Sequence, residues 1–181
     1  MDEYQKKTFF PCLNGHNAVI CGQAGTGKSY LLTKIVDELR GLGKSVSLTS
    51  STGISATQLG GITIHKWAGI GNGRYLNEEI LHLIRTDERY NSNLRTIRNT
   101  DVLAVDEISM ISTKVFNQVE FLCRKLRCTD KVFGGIQVVL CGDFYQLSPA
   151  PNFAFKLTFL NMLFLISLSI KSYIGKQIKC L

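Results

Sequence analysis

The chain has 181 residues, 45% of them apolar and 19% charged, which supplies one real core and excludes a disordered, collagen-like or long coiled-coil polypeptide. Its 21 Lys and Arg against 14 Asp and Glu give +7 overall. Residues 1–150 hold 17 basic and 14 acidic side chains and residues 151–181 hold four lysines and no acid, so the organised part of the chain permits a polyanionic partner without specifying one.

In chain order, Ala18-Val-Ile-Cys21 is a short apolar run ending at a glycine, which predicts a buried strand. A helical pattern follows from Tyr30 to about Arg40, with Leu31, Leu32, Ile35, Val36 and Leu39 on one face and Gly41 and Gly43 as stops. Val46 to Thr49 predict a second strand, and Gly60-Gly61 breaks the chain before a segment holding Trp67, the single tryptophan. Leu76, Ile80, Leu83 and Ile84 predict an amphipathic helix within the charged stretch 76–100. Val102 to Val105 predict a third strand, Ser112 to Arg127 a helix striped by Val115, Val119, Leu122 and Leu126, and Ile136 to Cys141 a fourth strand. Strands alternating with helices at these lengths predict an α/β fold, a mostly parallel sheet with helices on both faces, over residues 1–150. Residues 151–181 differ in character. The uncharged run Leu157–Ile170 falls short of the ~20 residues that a membrane-crossing helix needs, so no membrane partner is expected.

The six cysteines form no C-x-x-C pair, which argues against a zinc site. Cys21 and Cys141 each precede a glycine at the end of an apolar run and read as buried strand thiols. The acidic, polar start Met1-Asp-Glu-Tyr4 is unlike a secretory leader or an arginine-rich presequence, so reduced thiols inside a cell are expected.

Gly22-Gln-Ala-Gly25-Thr26-Gly27-Lys28-Ser29 matches G-x-x-x-x-G-K-[ST] between a strand and a helix. Such glycines let the backbone turn so that amides face phosphate oxygens, and the helix start adds its own free N–H groups. Lys28 is then the charge for the β- and γ-phosphates and Ser29 a hydroxyl for Mg²⁺. Val102-Leu-Ala-Val105 runs into Asp106-Glu107, which offers one carboxylate toward the metal and a second to orient and deprotonate a water. Gly142-Asp143-Phe-Tyr-Gln146 ends the fourth strand; Gln146 can sense the γ-phosphate or the attacking water, and Asp143 suits a turn or a water-mediated role.

With these elements the chain resembles the PIF-type ATP-dependent DNA helicases of superfamily 1, over about residues 1–150. Lys28 and Ser29 match the family's Walker A motif, and Asp106 and Glu107 its Walker B pair. Thr49-Ser-Ser51-Thr52-Gly-Ile-Ser-Ala56 is similar to its motif Ia, and the segment Gly60–Gly71, with His65, Lys66 and Trp67, to the one that follows. Gly142–Pro149 resembles motif III, with Ser148 where the family usually has proline. Gln5 stands where the family's adenine-reading glutamine would be. The resemblance implies a RecA-like P-loop NTPase domain that binds ATP and Mg²⁺ through Gln5, Gly22, Gly25, Thr26, Gly27, Lys28, Ser29 and Asp106. It also implies catalysis by Lys28, Glu107 and Gln146 in a motor that moves 5′-to-3′ on single-stranded DNA. Relatives of this kind serve DNA repair, recombination and telomere maintenance, so a nuclear address is expected, with mitochondria also used in the family.

Ser51, Thr52, His65, Lys66 and Trp67 are the expected DNA contacts, because loops after parallel strands face the ligand. For Trp67 the alternatives are a stacking platform and a core anchor; for Lys66, a phosphate contact and a solvated side chain; for His65, a phosphate contact and a local backbone bond. Arg85, Arg89, Arg95 and Arg98, diluted by Asp87 and Glu88, read as a solvated face. Residues 151–181 contain no arginine and no second RecA-like lobe, so the chain as written is expected to bind nucleotide without unwinding DNA by itself. Two other readings stand beside the helicase: a different P-loop ATPase, and a nucleotide-binding fragment that interacts with DNA without catalysis.

Overall fold

A computed structural model describes Met1, residues 3–23 and residues 25–143. After α1 (Glu3–Leu13) come β1 (Ala18–Cys21), α2 (Lys28–Gly41), β2 (Val46–Ser50), α3 (Gly53–Gln58), β3 (Ile62–Thr63) and α4 (Ile64–Ala68). Then follow α5 (Asn77–Thr86), α6 (Asn91–Asn99), β4 (Val102–Asp106), α7 (Thr113–Leu126) and β5 (Gln137–Gly142). The strands form one sheet in the order β1-β5-β4-β2-β3, parallel at every junction.

All five residues of β4 are buried, the pattern of a parallel strand covered on both faces. Alternation along the central strands divides the core in two. Leu103, Val105, Val138 and Leu140 face a cluster built with Trp67, Ile80, Ile84, Ile97, Val119 and Leu122. Val102, Ala104, Val139 and Cys141 face the other way, toward Phe9 and Cys12 of α1 and Leu31, Leu32, Ile35 and Val36 of α2. The sheet is the wall between the two clusters.

The predicted strands and the α2 and α7 helices are present. In the stretch 76–100 the expected amphipathic helix is present as α5, with Ile80 and Ile84 buried, and a second helix, α6, that was not expected follows it. Asp87 leaves helical geometry at φ −99°, ψ 120°, and its carboxylate accepts the Arg89 amide, which opens a short 3-10 turn at Glu88–Tyr90. The arginines of this region are not merely solvated. Arg85 and Arg98 donate to the carbonyls of Lys125 and Leu126, satisfying the free C-terminal end of α7, and Arg89 pairs with Asp87. Cys141 is buried as expected, but Cys21 is exposed. It is the last residue of β1, which is paired only with β5 among the described residues. No described helix is long and apolar enough to cross a membrane. The uncharged run Leu157–Ile170 and Gln146 lie outside the described residues.

Candidate nucleotide site and DNA face

In a parallel sheet every strand ends at the same edge, and here that edge gathers the turn after β1, the Ser51-Thr52 segment after β2, Glu107 after β4 and Asp143 after β5. The turn from β1 to α2 passes through Gly25 at φ 81° and Gly27 at φ 80°, left-handed conformations that glycine enters without a Cβ penalty. Gly27 is also the N-cap of α2, so the free amides of that helix open onto the turn. Across the turn, the Lys28 ammonium and the Thr26 hydroxyl both donate to the Gln23 carbonyl at 2.8 Å. Gln5 approaches from α1: a Cβ on Gly27 would lie 3.3 Å from its Nε2. Four of the predicted nucleotide residues and Gln5 are thus brought to one place.

The decisive contact joins that turn to β4. Ser29 Oγ donates to Asp106 Oδ2 at 2.9 Å, and the Glu107 amide donates to Asp106 Oδ1 at 2.9 Å. Asp106 is only 2% exposed, so these donors stabilise a carboxylate that would otherwise be costly to bury. Glu107 follows in the left-handed region at φ 51° and is half-buried. Burial holds its carboxyl above the usual range, the charges of Asp106 and Asp143 add to that, and Lys28 opposes it. Burial raises the Cys141 thiol far above its usual range, and the charge of Asp106 adds to that.

The DNA-facing candidates divide. Ser51 is tied to the site through its amide, which donates to the Asp106 carbonyl at 3.3 Å, while its buried hydroxyl has no partner among the described residues. Thr52 caps α3, its oxygen accepting the Ser55 amide. Lys66 is exposed on α4, and burial holds the half-buried His65 below the usual histidine range. Trp67 corrects the stacking expectation: it is 1% exposed and packs in the larger core cluster, so the core-anchor alternative is the one the fold adopts. Asn93 of α6 clamps this segment, donating to the carbonyls of Lys66 at 2.7 Å and Trp67 at 3.1 Å.

Sequence reasoning missed two participants. The Gln23 carbonyl that holds Lys28 is a backbone group and leaves no side-chain signal. Cys141 was read only as a core thiol, although counting alternate positions along two parallel strands places it beside Asp106.

The family model described as "PIF1-like helicase" matches residues 5–179. The chain belongs to the PIF1-like helicase family. Among curated proteins of this family it is 42% identical over 151 residues to ATP-dependent DNA helicase PIF1 of Saccharomyces cerevisiae (strain YJM789), covering 81% of this chain and 17% of that protein. It is 44% identical over 135 residues to the yeast ATP-dependent DNA helicase RRM3 (strain ATCC 204508 / S288c), covering 74% and 18%. Among solved structures, Pif1 helicase from Candida albicans superposes with a TM-score of 0.78 at 39% identity, covering 83% of this chain and 34% of that one. Pif1 helicase from Bacteroides in complex with ADP-AlF3 and ssDNA gives 0.70 at 25% identity, covering 89% and 36%. The RecA-like α/β fold of the PIF1-like helicases is therefore the fold of this chain, which spans about a fifth of the length of these curated relatives.

Proposed function

We propose that this chain is the nucleotide-binding lobe of an ATP-dependent DNA helicase, coupling ATP hydrolysis to 5′-to-3′ movement on single-stranded DNA in repair, recombination and telomere maintenance, with the nucleus as its place of work. The observation that carries the reading is the 2.9 Å bond from Ser29 to Asp106, which unites the phosphate turn and the acidic strand end in one site.

The donor set suits Mg²⁺: a hydroxyl and a buried carboxylate, both hard oxygens. No group of three His, Cys, Asp or Glu side chains among the described residues could hold a metal alone, so phosphate oxygens and water would complete the shell. Held by Ser29 and Asp106, Mg²⁺ would neutralise charge developing on the β- and γ-phosphates. The chain's own groups do the rest. Amides of the turn and of the first residues of α2 bind phosphate oxygens. Lys28 exchanges the Gln23 carbonyl for the phosphates, which explains why its ammonium is parked inside the turn. Gln5, against Gly27, reads the adenine edge. Glu107 orients a water and takes its proton, its raised affinity for protons suiting a general base. Gln146 senses the γ-phosphate.

On the DNA face, Thr52, His65 and Lys66 meet the sugar-phosphate backbone, while Ser51, its hydroxyl buried and its amide bonded to the Asp106 carbonyl, and Trp67 support them from beneath. Two titrations on the purified chain test the reading. Binding of a fluorescent ATP analogue with Mg²⁺ should vanish in Lys28→Ala, and binding of a labelled single-stranded oligonucleotide should weaken in Lys66→Ala with a shallower salt dependence. Nucleotide binding indifferent to Lys28 would refute the site. DNA binding indifferent to Lys66 would remove that residue from the track.

A further inference from the structure

Asp106 is the most heavily used side chain of the site, and its surroundings hold one group with no task so far. Strands β4 and β5 pair in parallel with Val105 opposite Leu140; the next residues are Asp106, the last of β4, and Cys141, the last but one of β5. Val102, Ala104, Val139 and Cys141 share the α2 face of the sheet, whereas Leu103, Val105, Val138 and Leu140 share the other. Asp106 is the next residue of the α2-facing series, as its bond to Ser29 at the start of α2 requires. Register and alternation therefore set the Cys141 thiol beside the Asp106 carboxylate, with Cys141 fully buried and Asp106 2% exposed.

We infer that Cys141 is a positioning residue whose S–H donates to the Asp106 carboxylate and fixes the orientation in which that carboxylate meets a Mg²⁺-nucleotide; this rests on the nucleotide reading above. The carboxylate already accepts the Glu107 amide on Oδ1 and the Ser29 hydroxyl on Oδ2. When Ser29 turns its oxygen to a cation, the donor on Oδ2 weakens, and a buried carboxylate needs another. A thiol suits the place. It is a weak donor, it packs as a small apolar group in the core, and it competes poorly with oxygen for a hard cation. Such outer partners set the orientation and affinity of a metal ligand without touching the metal.

The test uses the complete chain and a fluorescent ATP analogue titrated with Mg²⁺. Cys141→Ala should raise the half-saturating Mg²⁺ concentration about three- to tenfold, leaving analogue affinity in EDTA unchanged. Cys141→Ser, which keeps a donor, should stay close to the parent, as should Cys123→Ala, which removes a buried thiol on the other face of the sheet. An unshifted Cys141→Ala, or a Cys141→Ser shifted equally far, would overturn the inference. A parent chain that binds the analogue without any Mg²⁺ dependence would overturn the nucleotide reading and the inference together. Should Cys141→Ala fail to fold, the infrared S–H band of the unaltered thiol, assigned by its loss in Cys141→Ser, decides the matter. The band should lie below that of a free thiol and move in Asp106→Asn; a band indifferent to Asp106→Asn rejects the contact.

Discussion

Glu107 carries two costs in one residue. A non-glycine side chain at φ 51° occupies a sparsely populated backbone region, and its carboxylate is half-buried next to the negative charge of Asp106. The burial and the neighbouring charge raise its affinity for a proton, which suits the proposed general base, and both costs weigh on the stability of the nucleotide-free fold. Glu107→Gln keeps size and shape while removing the charge. It is expected to raise the melting temperature of the nucleotide-free chain, read by differential scanning fluorimetry, and to lower any measurable ATP hydrolysis about a hundredfold or more, read by phosphate release. A variant that melts lower and hydrolyses normally would remove Glu107 from both roles. Ser29 and Asp106 stand 77 residues apart in the chain, yet their meeting was legible in the sequence. Each follows an apolar run that a parallel sheet must bury, and a parallel sheet brings both run ends to one edge. Trp67 was not legible in the same way. An aromatic after His65 and Lys66 in a glycine-bounded segment suits a stacking platform and a core anchor equally, and only tertiary packing separates them.

Among the elements, α4 shows how a short helix is held. Thr63 caps its start by accepting the Lys66 amide, Gly69 ends it at φ 71°, Asn93 clamps its last carbonyls and Trp67 anchors it from below. Five residues make little helix stability of their own, so packing must supply it. Trp67→Ala should therefore cost about 3–5 kcal/mol in urea unfolding, the range for a buried large aromatic. A loss within about 0.5 kcal/mol, usual for a surface site, would return Trp67 to the DNA track. His65, on the same helix, adds a pH dependence. Burial lowers its proton affinity, so the folded state binds fewer protons than the unfolded chain between the folded value and the ordinary one of about 6.5. Stability should fall as pH drops below that upper value and level off below the folded one. In His65→Asn this slope should shrink, as measured by melting between pH 5 and pH 8. The break between α5 and α6 shows where sequence patterning stops. Ile80, Leu83, Ile84, Leu94 and Ile97 sustain a helical rhythm across the whole stretch, and nothing in Asp87-Glu88-Arg89 forbids a helix. What breaks it is local side-chain capping, in which the Asp87 carboxylate gathers the Arg89 amide and guanidinium. Likewise α1 escaped notice, because Pro11 and its mixed polarity hide the short stripe of Phe9 and Cys12 that packs on α2.

For the molecule as a whole, the described residues form one lobe, in which the β1–α2 turn, the acidic end of β4 and the proposed DNA contacts of Thr52 and α4 stand on one edge of the sheet. On the proposed reading, most groups that would meet a nucleotide come from the β1–α2 turn, the start of α2 and the end of β4, all within that lobe. Movement along DNA asks for more. A strand is displaced only when two bodies change separation as nucleotide is bound and spent, and the transferred phosphoryl is stabilised fastest when an arginine reaches it, an effect worth roughly 10³–10⁵ in rate. The 181-residue polypeptide spans 17% of the yeast PIF1 helicase it matches, and its described residues form one lobe only. The expected outcome is a separation of functions: the purified chain binds the Mg²⁺-ATP analogue in a Lys28-dependent way, yet displaces no labelled strand from a tailed duplex in a gel assay with ATP. ATP-dependent displacement by this polypeptide, abolished in Lys28→Ala, would overturn that separation, and a dependence of the rate on protein concentration would show whether one copy of the polypeptide suffices.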